Sequence, residues 1–543
     1  MESLFIPMVI LTTVVWGVAI YFRSRFLLHM MQLEGYKNSN YLNWIKEFKH
    51  RVFYKKINLA FAIIVLITAA RITLTSALDT YPIIWSLLML LSVNFKKEKA
   101  KIELNYTQRA KRLMISSIIV NIILLLVAVA ICVLTIKDTL IAYSVILLIA
   151  TCIYYLEPYI LCLGNIAVAP VEKKVNEYYF NMAKDKIRSF KDLKVVGITG
   201  SYGKTSVKFV TSTILEEKFN VLKTPESYNT PMGVSKVANG ELNSEHEVFI
   251  VEMGARNIGD IKEMAELAGP KIGILTSIGP THLETFKNIE NIMKTKYELI
   301  EGLPSDGIAI FNYDNKHIKK LADKTFKEKI LYGMEDIDKL DLYATDIEVS
   351  ELGSTFILGD KEGNKVKCTT KLLGHHNISN ILAGAALGKA LGLTLEEISA
   401  GISKVEPVPH RLQLIVNPAT GVIVIDDAFN SNPISSKAAL EVLSQFKEGR
   451  KIIITPGMIE LGDDEFKENK EFGKNIAKTC DYAILVGKNR TRPIQEGIKE
   501  EGFENESLFI VGSLDEATQT LQKIVRPKDI VLFENDLPDN YNE

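Results

Sequence analysis

The run Val195-Val196-Gly197-Ile198-Thr199-Gly200-Ser201-Tyr202-Gly203-Lys204-Thr205-Ser206 carries more chemistry than any other stretch of the chain. Two β-branched residues lead from a predicted strand into a glycine-rich turn, and Lys-Thr-Ser opens a predicted helix. Backbone N–H groups from Gly200 through Ser201 and Gly203 to Lys204 can surround a nucleotide phosphate, because glycine admits the required φ values and close approach. The Lys204 ammonium would lie at the outer phosphates and the Thr205 hydroxyl would ligate Mg2+, with Ser206 in the same turn. The spacing is GxxGKT rather than the commoner GxxxxGKT, so this is a variant phosphate loop. An ordinary strand–helix turn has no use for Lys and Thr together.

Further candidates gain meaning beside that loop. Glu252 ends an apolar strand, and a carboxylate at the carboxyl end of a neighbouring parallel strand is where the Mg2+ of a bound nucleotide is held. The plain alternative is a solvated strand-end acid. His282 follows the next strand; a lone histidine is usually structural, but at this sheet edge it can serve as a second metal ligand. Lys296 and Glu298 fall on the following helix, where periodicity alone reads them as a solvated face. In Gly374-His-His-Asn377-Ile-Ser-Asn380, Asn377 reads as a helix N-cap, while Asn380 needs another reason. Asp426-Asp427 again follow an apolar strand and precede a helix, on the usual ligand side.

These residues need a scaffold, and 543 residues are enough for three or four units. A net charge of −1 gives no general attraction to nucleic acid. The five Cys form neither a metal nor a disulfide pattern, as in a reduced, cytosol-facing enzyme. The chain divides near residue 170. Before it lie apolar runs at 4–22, 57–78, 81–95, 114–134 and 140–163, each near the roughly 20 residues that cross a bilayer, the third being short. The first lacks a basic leader and a small-residue cleavage site, and it reads as a retained anchor. Basic residues crowd the first and third connections (Arg23, Arg25, Lys37, Lys46, Lys49, Arg51, Lys55 and Lys56; then Lys96, Lys97, Lys99, Lys101, Arg109, Lys111 and Arg112), whereas the connections around Asp79 and Lys137 hold almost none. The positive-inside rule then gives five spans, an outside N-terminus and everything beyond residue 170 in the cytoplasm. Arg71, within the second span, is read as snorkelling to the outer interface rather than binding a lipid phosphate.

From residue 194 the pattern changes to short apolar strands with helical spacers, at 194–199, 248–253, 272–278, 307–312, 421–426, 451–456, 482–486 and 530–533. That alternation predicts parallel sheets in α/β domains. A charged, more antiparallel stretch at 342–373 interrupts it, and the two prolines of 405–411 mark a linker. The expected domains are therefore a transmembrane region (1–170), a phosphate-loop α/β domain (171–404) and a second, Rossmann-like α/β domain (405–543).

The ordered set GITGSxGKTS, TPxSxNxPxGV (224–234), EMGA (252–255), IGPTHLE (278–284), K-x-E at Lys296 and Glu298, HNxxN (376–380), PHR (409–411), DDxxNxNP (426–433) and GMxELG (457–462) resembles the Mur ligases. The likeness is strongest to the MurF branch, which adds D-Ala-D-Ala to a UDP-linked muramoyl tripeptide. It implies a middle ATPase domain, a C-terminal Rossmann-like domain and an ATP-dependent, ADP-forming amide ligase that works through an acyl phosphate in peptidoglycan synthesis. By the same likeness Lys204, with Mg2+ on Thr205 and Glu252, offsets phosphate charge, and His282 helps hold a second Mg2+. Lys296 matches a lysine that is carbamylated in some members. Asn380 faces adenine, Arg411 and Asp427 close on phosphates and ribose, and Asn229 and Thr230 handle the carboxylate substrate.

Two departures bear on the substrate. The UDP-gripping N-terminal domain is replaced by the apolar region, and the KGSR-like C-terminal signature by Phe533-Glu534-Asn535-Asp536 and the residues after it. The first, with the cytoplasmic orientation, leads to a multi-pass ligase of the bacterial plasma membrane acting on a membrane-linked wall precursor, with an amino acid or dipeptide as amine. The second sets acidic residues, which would suit an amine or cationic group of the incoming nucleophile, where basic and hydroxyl groups bind a peptide carboxylate. A MurF isozyme on the soluble precursor is the alternative. An amidating ligase resembling MurT would carry a four-cysteine zinc ribbon, which is not seen, and a non-catalytic ATP-binding scaffold sits poorly with intact phosphate-loop and acidic motifs.

Overall fold

A computed structural model describes residues 2–73, 80–94, 103–226, 228–350, 353–428, 431–459 and 461–536. Asp79, Lys96, Lys97, Lys99 and Lys101 of the orientation argument, Asn430 and Glu460 of the motifs, and residues 537–539 lie outside them. The chain forms two compact units, one of residues 1–176 and one from Glu177 onward.

Among the described residues four helices have the length and apolar composition to cross a membrane: Phe5–Leu33, Lys55–Thr73, Gln108–Thr135 and Thr139–Ser189. The third expected span is, in its described part, a 12-residue helix Tyr81–Ser92, about 18 Å long against a hydrocarbon core of about 30 Å. Arg71, the charge within the second expected span, is buried at 8% exposure. The helices are joined by polar bonds as well as apolar packing. Glu157, fully buried, accepts from Ser24 (2.5 Å), Ser117 (3.0 Å) and Asn121 (2.8 Å), so one carboxylate gathers three helices. Hydrogen bonds of this kind replace the hydrophobic drive that helices lack in an apolar surrounding. The guanidinium of Arg23 is packed by the rings of Tyr154 (5.2 Å) and Phe53 (5.9 Å) and donates to the carbonyls of Val52 and Tyr155.

The second unit carries two sheets. Strands β1 (Lys194–Thr199), β2 (Val221–Lys223), β3 (Val248–Glu252), β4 (Ile272–Leu275), β5 (Ile308–Asn312), β6 (Lys329–Gly333), β7 (Leu342–Ser350), β8 (Gly353–Asp360) and β9 (Lys365–Thr370) form the first, in the order β2-β3-β1-β4-β5-β6-β7-β8-β9. Pairing is parallel as far as β7 and antiparallel through β8 and β9. The second sheet, β10 (Gln413–Val416), β11 (Ile423–Asp427), β12 (Lys451–Thr455), β13 (Tyr482–Val486), β14 (Leu508–Val511) and β15 (Ile530–Glu534), runs β10-β11-β15-β12-β13-β14, parallel except at β10. Strands β2, β6, β10 and β14 were not expected from the sequence. β2 and β10 are short, and β10 exposes Ile415 and Val416, so neither shows the long apolar run of a central strand.

The two-residue period of the strands divides the first sheet into two cores. Val196 and Ile198 face the helices Lys204–Leu215 and His375–Ala390, whereas Val195, Phe249 and Val251 face the layer containing Leu299 and Ile300. The helix Lys204–Leu215, which begins at the phosphate loop, packs closely on His375–Ala390 because the latter is rich in Ala and Gly. A Cβ on Gly384 would meet the Cδ1 of Ile214 at 3.0 Å and the Cα of Thr211 at 3.2 Å. Gly384→Leu should therefore push these helices apart and cost about 1–3 kcal/mol. Scanning calorimetry of the detergent-solubilised chain checks this as a lowered midpoint of the α/β unit; an unchanged midpoint would contradict the packing.

Candidate active site

The carboxyl ends of β1, β3 and β4 meet at one edge of the first sheet, beside the point where the chain changes direction across it. The loop after β1 is clasped by the segment after β4. Ser201 N–H donates to the Ser277 carbonyl at 2.7 Å, Tyr202 N–H to Ser277 Oγ at 3.0 Å, and the Ser201 hydroxyl to the Gly279 carbonyl at 2.9 Å. Thr276 Oγ1 donates to the Tyr202 carbonyl at 2.5 Å. The clasp gives the 276–280 stretch a local structural role that sequence reasoning did not foresee.

Gly203 caps the following helix at φ 78, in the left-handed region, and a Cβ there would meet Asn380 Oδ1 at 2.7 Å. Asn380 therefore lies directly against the phosphate loop, although it is remote in sequence. A Cβ on Gly200 would strike Thr276 Oγ1 at 2.1 Å, so this position too requires glycine. Lys204 folds back to donate to the carbonyls of Gly200 (2.9 Å) and Ser201 (3.3 Å), while Ser206 stands partly buried in the first turn of the helix.

Glu252, at the end of β3, is 1% exposed. Its Oε1 accepts from the Thr205 hydroxyl and from the Asn229 amide, each at 3.1 Å, and its Oε2 accepts from Lys208 Nζ at 3.0 Å. Asn229 also accepts the Gly254 N–H at its carbonyl (2.9 Å). The Thr230 hydroxyl accepts from Gly233 N–H at 3.3 Å and so caps the helix Pro231–Gly240. Hard oxygen donors from Thr205 and Glu252 thus converge beside the phosphate loop, a donor set that fits Mg2+. Among the described residues no three His, Cys, Asp or Glu side chains cluster for a metal, so an ion here would complete its shell from phosphate oxygens and water. His282 occupies the turn after β4 at φ 50, and its carbonyl accepts from the N–H groups of Thr285 and Phe286.

Lys296 and Glu298 depart from the expected solvated face: they are 2% and 8% exposed. Glu298 accepts the N–H groups of Gly259 and Lys262, both at 2.9 Å, at the start of the helix Asp260–Ala268. Burial, reinforced by the charge of Lys204, holds the Lys296 amine well below the usual lysine range. Asn377 is not the N-cap either. Gly374 holds that place, and Asn377 instead donates from its amide to the Leu373 carbonyl at 2.9 Å.

The second domain contributes Arg411 and Asp427. Burial lowers the Arg411 pKa, and the charges of Asp427 and Glu252 partly oppose that; Arg411 in turn lowers Lys204 and Lys208. Asp427 accepts the Leu412 N–H at 3.2 Å. Its register partner on β15 is Glu534, which is fully buried and accepts from the Ser431 hydroxyl at 2.6 Å. Glu534, the first acid of the departing C-terminal segment, is therefore withdrawn into the domain, where it cannot meet an incoming amine directly. Lys208, Ser277 and Glu534 were all missed as site residues; for Lys208 the available signal was its place one helical turn beyond Lys204.

The class defined by this fold and site is a phosphate-loop nucleotide-binding α/β domain followed by a Rossmann-like α/β domain. Residues 198–388 match the Mur ligase middle domain, and residues 410–534 the Mur ligase, glutamate ligase domain. The UDP-N-acetylmuramoyl-tripeptide–D-alanyl-D-alanine ligase of Escherichia coli is 33% identical over 54% of this chain and 65% of its own length. Its Mycobacterium leprae namesake is 30% identical over 63% and 70%. The chain thus spans about two thirds of the length of the curated relatives it matches. The crystal structure of MurF ligase from Thermotoga maritima in complex with ADP shares the fold, with a TM-score of 0.59 at 24% identity over 66% of this chain and 80% of that one. The chain belongs to the Mur ligase family.

Burial raises the Asp427 carboxyl to about 6, from an ordinary 3.8. Its buried partner Glu534 is also raised, well above the usual carboxylate range, so the folded chain keeps protons where the unfolded chain has lost them, and stability falls as pH rises from about 4. Asp427→Asn together with Glu534→Gln should remove that slope. Calorimetric midpoints between pH 4 and 7 test it; parallel profiles for the two proteins would refute it.

Proposed function

We propose that the chain is an ATP-dependent, ADP-forming amide ligase of the MurF type, joining the amine of D-alanyl-D-alanine to a carboxylate of a UDP-linked muramoyl tripeptide. The supporting observation is the convergence of Thr205 and Asn229 on one Glu252 oxygen, which brings the nucleotide loop and the 228–234 segment to the same carboxylate. The names of the two relatives support the substrates, and the ADP held by the Thermotoga protein supports the nucleotide.

In this scheme an acceptor carboxylate oxygen attacks the γ-phosphorus, the bond to the β-phosphate oxygen breaks and ADP leaves. The amine then adds to the acyl phosphate, loses a proton, and inorganic phosphate departs. The backbone of 200–204 holds the phosphates, Lys204 and Arg411 offset their charge, and Asn229 and Thr230 orient the acceptor. Mg2+ bound through Thr205 and Glu252, with a second ion near His282, would neutralise charge on the transferring phosphoryl group. Asn380 contacts the base, and Asp427 the ribose. Lys296, whose burial favours the neutral amine, is poised to add CO2 and become a carbamate.

A second reading keeps the chemistry and changes the acceptor to a membrane-linked wall precursor, with residues 1–170 embedded in the plasma membrane and the α/β unit cytoplasmic. The four apolar helices favour it. ADP release measured with UDP-linked and lipid-linked muropeptides separates the two, since the preferred acceptor gives the faster release; no ADP release with either would end both.

Lys204→Ala should slow ADP release by roughly 10²–10³-fold while leaving the fold intact, as for loss of a transition-state charge contact. A loss below tenfold would remove Lys204 from the chemistry. Depleting CO2 and bicarbonate should lower kcat, and restoring bicarbonate should recover it; indifference to bicarbonate would exclude the carbamate.

A further inference from the structure

Lys208 has no part in the scheme above, yet its side chain is completely buried. It lies on the helix Lys204–Leu215, one turn beyond the phosphate-loop lysine. Its ammonium donates to Glu252 Oε2 at 3.0 Å and to the carbonyl of Glu226. Glu226 holds φ 40, a left-handed conformation uncommon for a residue that carries a Cβ, just ahead of Asn229 and Thr230. Burying an ammonium costs several kcal/mol unless its partners are well placed, so a lysine with one carboxylate and one carbonyl is tightly bound to both.

The two oxygens of Glu252 are divided. Oε1 meets Thr205 and Asn229 on the nucleotide side, and Oε2 meets Lys208. A dication arriving at Oε1 draws on the same negative charge that holds Lys208 and also repels the ammonium. The lysine then depends more on the Glu226 carbonyl, which the ion does not share.

We infer that Lys208 is a positioning residue that couples cation occupancy at Glu252 to the ordering of the acceptor-handling segment 228–234. The inference rests on the proposed nucleotide reading of that site. It predicts two effects of opposite sign when Lys208 loses its charge. With the competing ammonium gone, Glu252 takes up Mg2+ more tightly, by about tenfold. With the bridge gone, Mg2+–ADP no longer orders the 228–234 segment.

The test uses the full chain in detergent. Mg2+ is titrated at fixed ADP by calorimetry, and amide hydrogen exchange is followed in a peptide covering 228–234. Wild type should gain protection there on adding Mg2+–ADP. K208M should show the lower half-saturating Mg2+ concentration together with loss of that protection. If K208M does not fold, K208Q, which keeps a donor without the charge, is read in the same two ways. K218M serves as a control and should leave both readings at wild-type values, because Lys218 is exposed and bonds away from the site, to the Gly392 carbonyl at 2.9 Å. Weaker Mg2+ binding in the Lys208 variants, as a merely structural lysine would give, overturns the coupling; so does undiminished protection. A wild-type chain that binds no Mg2+–ADP overturns the nucleotide reading and the coupling together.

Discussion

A carboxylate withdrawn from water is the constraint from which the rest of this site follows. Glu252 ends a strand whose every residue is buried, so its charge must be met by protein donors. Those donors come from two places: Thr205 and Lys208 on the helix after the phosphate loop, and Asn229 ahead of the next helix. Because these bonds tie both places to the end of the strand, the phosphate loop, the strand end and the 228–234 segment cannot shift independently. The clasp by Thr276, Ser277 and Gly279 adds β4 to the same assembly.

Around this one acid the fold gathers an excess of positive charge. Lys204, Lys208, Lys296 and Arg411 all have their pKa lowered by burial. Such crowding is unfavourable for an empty protein and suits a polyanion such as a nucleotide triphosphate, whose charge the site is built to receive without rearranging. The helix Lys204–Leu215 adds its N-terminal dipole in the same direction. Stability is thereby surrendered at the place where binding recovers it, a pattern expected of functional sites.

The helical unit solves a different problem by related means. Four apolar helices have little reason to choose one arrangement from oily contacts alone if they lie among lipid chains. Glu157, with donors from Ser24, Ser117 and Asn121, specifies which faces meet. Arg23, between two aromatic rings and two carbonyls, does the same near the basic connection.

Local order along the chain was enough to reveal the phosphate loop, the central strands of both sheets, the antiparallel stretch near residue 350 and the family. These depend on contiguous residues: a glycine turn followed by Lys-Thr, or a run of β-branched side chains, has much the same meaning wherever it occurs. What lay beyond reach was any property created by two distant segments meeting. Asn380 could be recognised as unexplained, but only packing of its helix on the first one puts it against Gly203. Lys296 and Glu298 have the spacing of an exposed helical face yet are buried, and Glu298 caps the start of the helix Asp260–Ala268, a partner far away in sequence. Glu534 seemed free to meet a substrate until its register with Asp427 turned it inward. Lys208 carries no signal in the sequence beyond its place one helical turn after Lys204. Its role follows from the carboxylate it faces across the sheet edge, since a charge has no partner until the fold supplies one, and burial then makes that partner obligatory.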